Sequence, residues 1–171
     1  MIMLKLNLGC GGFPLKGFIN MDSRGDIGNV IESRDPGEYI VVPEWKWQNG
    51  LIGFSDGVVD AITESHSLMY LLVEEYEAVF REIHRVLKNG GIFRITEDNC
   101  GRPEEELKRD GLPWGNPASA VGPIEMEKEL KKVFSFVENV DFGMKTNFKD
   151  SSLIQQFHGT PPRVFHTEAI K

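Results

Sequence analysis

Cysteine is scarce. Cys10 and Cys100 are the two in the chain, and they stand far apart. Two cysteines build no disulfide framework, and neither has the spacing of a metal site, so no metal is expected. Their scarcity fits a reducing compartment, with the cytoplasm as the expected location. Long hydrophobic runs are also missing. Nothing approaches the ~20 apolar residues of a membrane span, so no membrane partner is expected. The first apolar run stops at Asn7 and enters a glycine turn, which is not the pattern of a secretory leader. Positive charge is in deficit, with 19 Lys and Arg against 26 Asp and Glu and a net charge of -7. That excludes a general nucleic-acid surface, although not a local basic patch. A phosphate loop would need Gly-Lys-Ser/Thr, which is absent. A dinucleotide fingerprint would need a third glycine where Pro14 stands.

What remains is an ordinary globular composition, 40% apolar and 26% charged. It reads as one domain over residues 1–171, with a substantial core and no internal repeat or long linker. The most informative stretch is Leu6-Asn7-Leu8-Gly9-Cys10-Gly11-Gly12, which follows Ile2-Met3-Leu4 and precedes Phe18-Ile19-Asn20-Met21-Asp22. This is a buried strand, a glycine turn, and a second apolar run closing on an acid. Glycines at 9 and 11 let the backbone turn sharply and approach a ligand that a Cβ would exclude. An acid ending the second strand is placed to accept hydrogen bonds from ribose hydroxyls.

The remaining pattern alternates strands and helices, which implies a doubly wound α/β sheet. Strands are expected at Leu4–Leu8, Phe18–Met21, Tyr39–Trp47 with an interruption at Pro43, Val58–Thr63, Gly91–Thr96, Phe136–Phe142 and Val164–Ile170. The clearest helix is Val73–Leu87, with Tyr76, Val79, Phe80, Ile83, Val86 and Leu87 on one face. Asn89-Gly90-Gly91 stops it. A second helix is expected at Ile124–Phe134. Asp26–Pro36 is ambiguous, with a short helix as one reading. Residues 98–123 read as a long irregular segment or lid with a short helix at Pro103–Arg109. Pro14 and Gly17 reduce the first crossover helix to a turn.

Three ordered segments resemble the class I S-adenosylmethionine-dependent methyltransferases, in particular short bacterial type-11-like members. Leu6–Gly11 is similar to their motif I. Phe54–Leu71 is similar to their fourth strand and the loop after it. Ile83–Ile95, with Arg85-Val86-Leu87-Lys88-Asn89-Gly90-Gly91, is similar to their helix entering the fifth strand. The ending Arg163–Lys171 resembles the closing strand. The resemblance implies a Rossmann-like sheet of seven strands in the order 3-2-1-4-5-7-6, the last antiparallel, with a shortened first helix. It also implies methyl transfer from S-adenosylmethionine, yielding S-adenosylhomocysteine, to a small-molecule acceptor, and leaves a homo-oligomer open. The sequence departs from the usual pattern first in its short crossover, with Asp22 only 13 positions after Gly9, an abbreviation that short members share, and then in two further places. Trp45, Trp47 and Gln48 stand where an adenine-facing acid is common, and Tyr70 replaces a second histidine.

The implied cofactor residues are Asn7, Leu8, Gly9, Cys10, Gly11, Asp22, Glu64 and Ser65. Cys10 reads as a small residue beside the cofactor rather than a nucleophile, for no neighbouring base activates it. Trp45 and Trp47 read as core or edge packing. His66 is the candidate catalytic base, because it follows the fourth strand at the edge where open α/β sheets bind ligands. One of Glu97, Asp98 and Asn99 is expected to face the acceptor. His84 reads as structural, and no role attaches to His158 or His166. The acceptor is expected to be held by residues 98–123, by residues 143–162, or by a partner subunit. The alternative from another class is a non-catalytic module that binds S-adenosylmethionine or S-adenosylhomocysteine without turnover. A nicotinamide oxidoreductase is disfavoured by Pro14.

Overall fold

The computed structural model describes residues 3–11, 14–24, 39–99, 121–140 and 164–171. The ambiguous segment Asp26–Pro36, residues 100–120 of the irregular segment with the short helix read at Pro103–Arg109, residues 143–162, Cys100 and His158 lie outside the described residues. Seven strands form one sheet: β1 Lys5–Leu8, β2 Ile19–Met21, β3 Ile40–Val42, β4 Val59–Ser65, β5 Leu87–Asp98, β6 Phe136–Val140 and β7 Val164–Ile170. Their spatial order is β3-β2-β1-β4-β5-β7-β6. The pairs β3–β2, β2–β1, β1–β4 and β4–β5 are parallel, whereas β7 runs antiparallel to both β5 and β6. This is the Rossmann-like α/β architecture expected from the sequence.

Helix α1, Val73–Val86, lies between β4 and β5, and α2, Pro123–Leu130, precedes β6. Tyr76, Phe80, Ile83 and Val86 recur at helical spacing and form the buried stripe of α1. Its first turn is fixed by the Glu75 carboxylate, which accepts the Leu72 N–H at 2.8 Å. Its last turn receives Lys171, whose Nζ donates to the His84 carbonyl at 2.6 Å, a cation where the helix dipole favours one. The helix ends one residue earlier than its apolar pattern reads. Leu87 already belongs to β5 and pairs with Val59, so the strand begins before the two glycines rather than after them. Proline opens α2 at its first turn, where its missing N–H costs nothing.

The third strand is shorter than its composition reads. It stops at Val42, and Glu44 takes a positive φ of 59° beside Pro43. Trp45 then turns inward, its Nε1–H donating to the Gly50 carbonyl at 2.8 Å. Trp47 packs edge-on against it at 4.9 Å, so both tryptophans are packing residues as read. Arg85 on α1 ties down the following turn through Glu82, Asp56 and the carbonyls of Leu51 and Phe54.

Alternation along the strands makes the two sheet faces chemically different. Leu6, Leu8, Ile62, Phe93 and Ile95 share a core with the buried stripe of α1 and with Met126, Leu130 and Phe134. The opposite face carries Asn7, Asn20, Arg94, Thr96, His166 and Glu168, all buried. Arg94 and Glu168 are register partners on β5 and β7, fully buried, with Nη1 and Oε1 3.4 Å apart. Among the described residues no helix is long and apolar enough to cross a membrane.

The crossover from β1 to β2 is short. A parallel connection ordinarily takes a dozen residues or more, usually including a helix, and residues 9–18 do not allow that. The side chain of Asn20 compensates. Its Oδ1 accepts from Leu15 N–H at 2.7 Å and from Asn7 Nδ2 at 2.9 Å. Its Nδ2 lies 3.1–3.2 Å from the carbonyls of Leu15, Phe18 and Ile40. Asn20→Ala strands these buried partners together, so a loss of about 2–4 kcal/mol is expected. The urea midpoint measures it, and a loss below about 1 kcal/mol contradicts this role.

Candidate functional site

The carboxyl ends of β1, β2, β4 and β5 meet at one edge of the sheet, at the point where strand order reverses between β1 and β4. Open α/β sheets bind ligands at that point. The glycine turn leaves β1 with Gly9 N–H donating to the Met21 carbonyl at 2.8 Å. Gly9 and Gly11 both have positive φ, 64° and 51°. They serve different ends. A Cβ on Gly9 would lie 2.1 Å from Ser67 Oγ, while a Cβ on Gly11 would meet nothing within 4 Å. Gly9 is therefore demanded by packing against the loop after β4, and Gly11 borders open space.

Asp22, at the end of β2, is buried. Its Oδ2 accepts the Gly11 N–H at 2.7 Å and its Oδ1 accepts the Arg24 N–H at 2.9 Å. A carboxylate offers about four lone-pair sites, so capacity remains for hydroxyl donors. Cys10 packs with Tyr39 and Val41. Burial, then the charge of Asp22, pushes its thiol up to about 12, so Cys10 is no nucleophile at neutral pH.

The structure brings Gly9, Cys10, Gly11, Asp22, Glu64, Ser65 and His66 to this edge, and it separates backbone from side-chain roles. Leu8 points into the core, and Asn7 bonds Asn20, so each offers the edge its main chain. Glu64 turns inward, accepting from Ser67 N–H at 2.6 Å and Ser67 Oγ at 2.9 Å. Ser65 Oγ is buried with no hydrogen-bond partner among the described residues. His66 sits in the left-handed region at φ 57°, uncommon for a residue with a Cβ and characteristic of functional sites. Its N–H donates to the Thr96 carbonyl at 2.8 Å. Its Nδ1 lies 3.3 Å from Asp98 Oδ2. Of the three polar residues ending β5, Asp98 is thus the one against His66, and Glu97 is directed into the pair with Glu64.

His166, given no role by the sequence, lies beside this group. Its Nδ1 is 3.0 Å from Thr96 Oγ1. Burial, followed by the charges of Arg94 and His66, lowers its pKa to about 4. The available signal was the polar alternation of Arg94-Thr96 and His166-Glu168 in strands that otherwise read as core.

With this geometry in place, comparison with known proteins shows what the chain is similar to. Residues 42–95 match the family model described as methyltransferase domain. No curated protein matches the sequence. Among solved structures, a SAM-dependent methyltransferase from Archaeoglobus fulgidus superposes with a TM-score of 0.70 at 16% identity, over 99% of this chain and 86% of that one. An S-adenosylmethionine-dependent methyltransferase from Mesorhizobium loti gives 0.65 at 16% identity, over 99% and 91%. A SAM-dependent methyltransferase from Thermotoga maritima, described as a possible histamine N-methyltransferase, gives 0.66 at 16% identity, over 98% and 81%. The fold is that of the class I S-adenosylmethionine-dependent methyltransferases, and residues 42–95 are similar to that family's methyltransferase domain. The residues present fit such a cofactor: open space beside Gly11 that a Cβ would fill, and a buried carboxylate with accepting capacity next to it.

Gly9→Ala forces Ser67 aside as well as straining φ, and is expected to cost more than the ~1–2 kcal/mol of a left-handed alanine. Gly11→Ala should cost no more than that ~1–2 kcal/mol, yet lose S-adenosylhomocysteine binding. Denaturant midpoints and a binding isotherm test the contrast, and equal destabilisation by both variants would contradict it. A second expectation concerns acid. The folded His166 titrates near 4 and the unfolded imidazole near 6.5. The native state therefore holds fewer protons between those values, and this contribution to stability, whole above 6.5, is lost as pH falls toward 4. His166→Gln cannot take up that proton, so its melting temperature should fall less than the wild type's across this window.

Proposed function

We propose that this protein transfers a methyl group from S-adenosylmethionine to an oxygen or nitrogen of a small-molecule acceptor, with His66 as general base. The observation that carries the reading is the contact between His66 and Asp98 at the same sheet edge as the glycine turn. On this reading the main chain of Leu8–Gly11 and of Glu64–Ser65 lines the cofactor, and Asp22 accepts the ribose hydroxyls. Bound there, the cofactor supplies a methyl group on an already activated sulfonium. The chain's own tasks are to hold donor and acceptor in line and to take the acceptor's proton. Asp98 facing Nδ1 favours the tautomer with the proton on Nδ1, which puts the basic lone pair on Nε2. An imidazole held in this way is oriented before the acceptor arrives.

The second reading is a binding module that kept the fold and lost turnover, and Tyr70 in place of a second histidine motivates it. The His66–Asp98 contact favours the enzyme, since binding alone gives no reason to hold a histidine in a strained conformation against a carboxylate.

Calorimetry should show S-adenosylhomocysteine binding more tightly than NAD, and Asp22→Ala should weaken it by about 1–3 kcal/mol. Release of S-adenosylhomocysteine is then followed over an acceptor panel. His66→Gln should lower kcat by roughly 10²–10⁴ with nearly unchanged cofactor affinity. Turnover untouched by the substitution removes His66 as the base. Tight binding with no turnover on any acceptor supports the module instead.

A further inference from the structure

Two buried acids stand at the site without a part in the reaction just described. Glu64 ends β4 and Glu97 approaches the end of β5. Because Glu64 is in register with Ile95, Glu97 lies one step further along on the same sheet face. Both are buried, at 0% and 2% exposure. Each uses one oxygen on the loop after β4. Glu64 Oε1 accepts Ser67 N–H at 2.6 Å, Ser67 Oγ at 2.9 Å and Leu68 N–H at 3.2 Å. Glu97 Oε1 accepts Leu68 N–H at 2.6 Å and Met69 N–H at 3.3 Å. The other oxygens, Glu64 Oε2 and Glu97 Oε2, are buried and meet no N–H or O–H among the described residues. Both Oε1 atoms converge on the Leu68 N–H, which sets the two buried carboxyls side by side, and acids so placed keep one proton between them.

The surroundings keep that proton in place. Burial raises Glu97 well above the usual carboxyl range, and the neighbouring charge of Glu64 raises it further. Burial raises Glu64 too, opposed by Glu97 and the Ser67 donors and, least, by His66. Among the described residues the imidazole of His66 is the other titratable group facing the pair. The adjacent positions on β1 and β7 are Leu8 and Phe165, and from α1 Tyr76 donates its hydroxyl to the Leu68 carbonyl. None of these carries charge at neutral pH. Two carboxylates in one buried site cannot both ionise without a large cost.

What the pair grips is Ser67–Met69, and Ser67 is the residue pressed against Gly9. A Cβ added to Gly9 would lie 2.1 Å from Ser67 Oγ and 2.3 Å from Ser67 Cβ. The loop is therefore the backing of the glycine turn.

We propose that Glu64 and Glu97, joined by one shared proton, are positioning residues that hold Ser67 against Gly9, and that the protein binds its cofactor tightly only while that proton is present. The inference rests on the reading of Gly9–Gly11 as the cofactor turn. When the proton leaves, two negative charges face each other in a dry site. The pair parts or admits water, and the amides of Ser67, Leu68 and Met69 lose their common anchor. The sign follows from linkage. The binding-competent form carries one more proton than the ionised form, so affinity falls as pH rises through the transition of the pair.

The test is the dissociation constant of S-adenosylhomocysteine for wild type and Glu97→Gln from about pH 5.5 to 9.5, with a thermal melt at each pH. A carboxamide at 97 reproduces the protonated acid. Its NH₂ donates to Glu64, and its carbonyl accepts from Leu68 and Met69. The ratio of the two constants cancels titration of the ligand and of groups outside the pair. Above the transition this ratio should rise, approaching about tenfold per pH unit for one linked proton, while Glu97→Leu, which offers neither donor nor acceptor, binds weakly at every pH. Should Glu97→Gln fail to fold, Glu64→Gln places the amide on the other partner and serves in the same ratio. Binding by both proteins with parallel pH profiles overturns the inference alone. No binding by folded wild type at any pH overturns the cofactor reading, and the inference with it.

Discussion

The hydrogen bonds of one buried carboxamide, Asn20, hold the part of the fold on which the site depends. With residues 9–18 as the whole connection between two parallel strands, no helix is available to satisfy the turning backbone. Asn20 supplies those bonds itself, to Leu15, Phe18, Ile40 and Asn7. The shortened connection then brings Gly11 against Asp22 at 2.7 Å. Both the curvature of the glycine turn and the placing of the acid beside it follow from that local economy of chain. An unsatisfied buried amide costs more than a typical hydrogen bond contributes, which is why one residue with donors and an acceptor matters so much here.

A second constraint is the division of the sheet into an apolar and a polar face. The apolar face packs on α1 and α2 and provides the non-directional part of the stability. The polar face buries Arg94 against Glu168 and His166 against Thr96. Buried ion pairs are weak evidence of stability, because desolvation offsets much of their attraction. Burial lowers Arg94 to about 10 despite Glu168. This face is more readily explained by what it places near the edge, His66, Asp98 and His166, than by what it contributes to folding.

Likeness to the three solved methyltransferases, at 16% identity each, concerns the fold. Folds of this kind host many chemistries, so the functional argument rests on the edge itself. There the chain shows three separable devices. A turn opens beside Gly11 and is closed by packing at Gly9. An acid retains accepting capacity next to it. A histidine is held in a left-handed conformation against Asp98.

Much of this was legible without coordinates. Short apolar runs bounded by turn residues located the seven strands, and the helical stripe of α1 was read to within one residue of its end. The glycine turn and Asp22 announced a ligand edge because their chemistry is local: positive φ and a strand-terminal acid are visible in a few consecutive letters. Boundaries were less legible where neighbours decided them. β3 was read too long because tryptophans at 45 and 47 look like strand residues, while Pro43 and Glu44 turn the chain. β5 was read too short because its first residues pair with Val59 rather than follow a local pattern. What the tertiary structure alone decided are the pairings across the sheet. Asn7 with Asn20, Glu64 with Glu97, His66 with Asp98, and Thr96 with His166 join residues far apart in the chain. A side chain's hydrogen-bond partner is set by strand order and register, which no local periodicity encodes. The sequence therefore determined the kind of fold and the edge that carries the glycine turn and Asp22, and three-dimensional register determined which polar groups on that edge face one another.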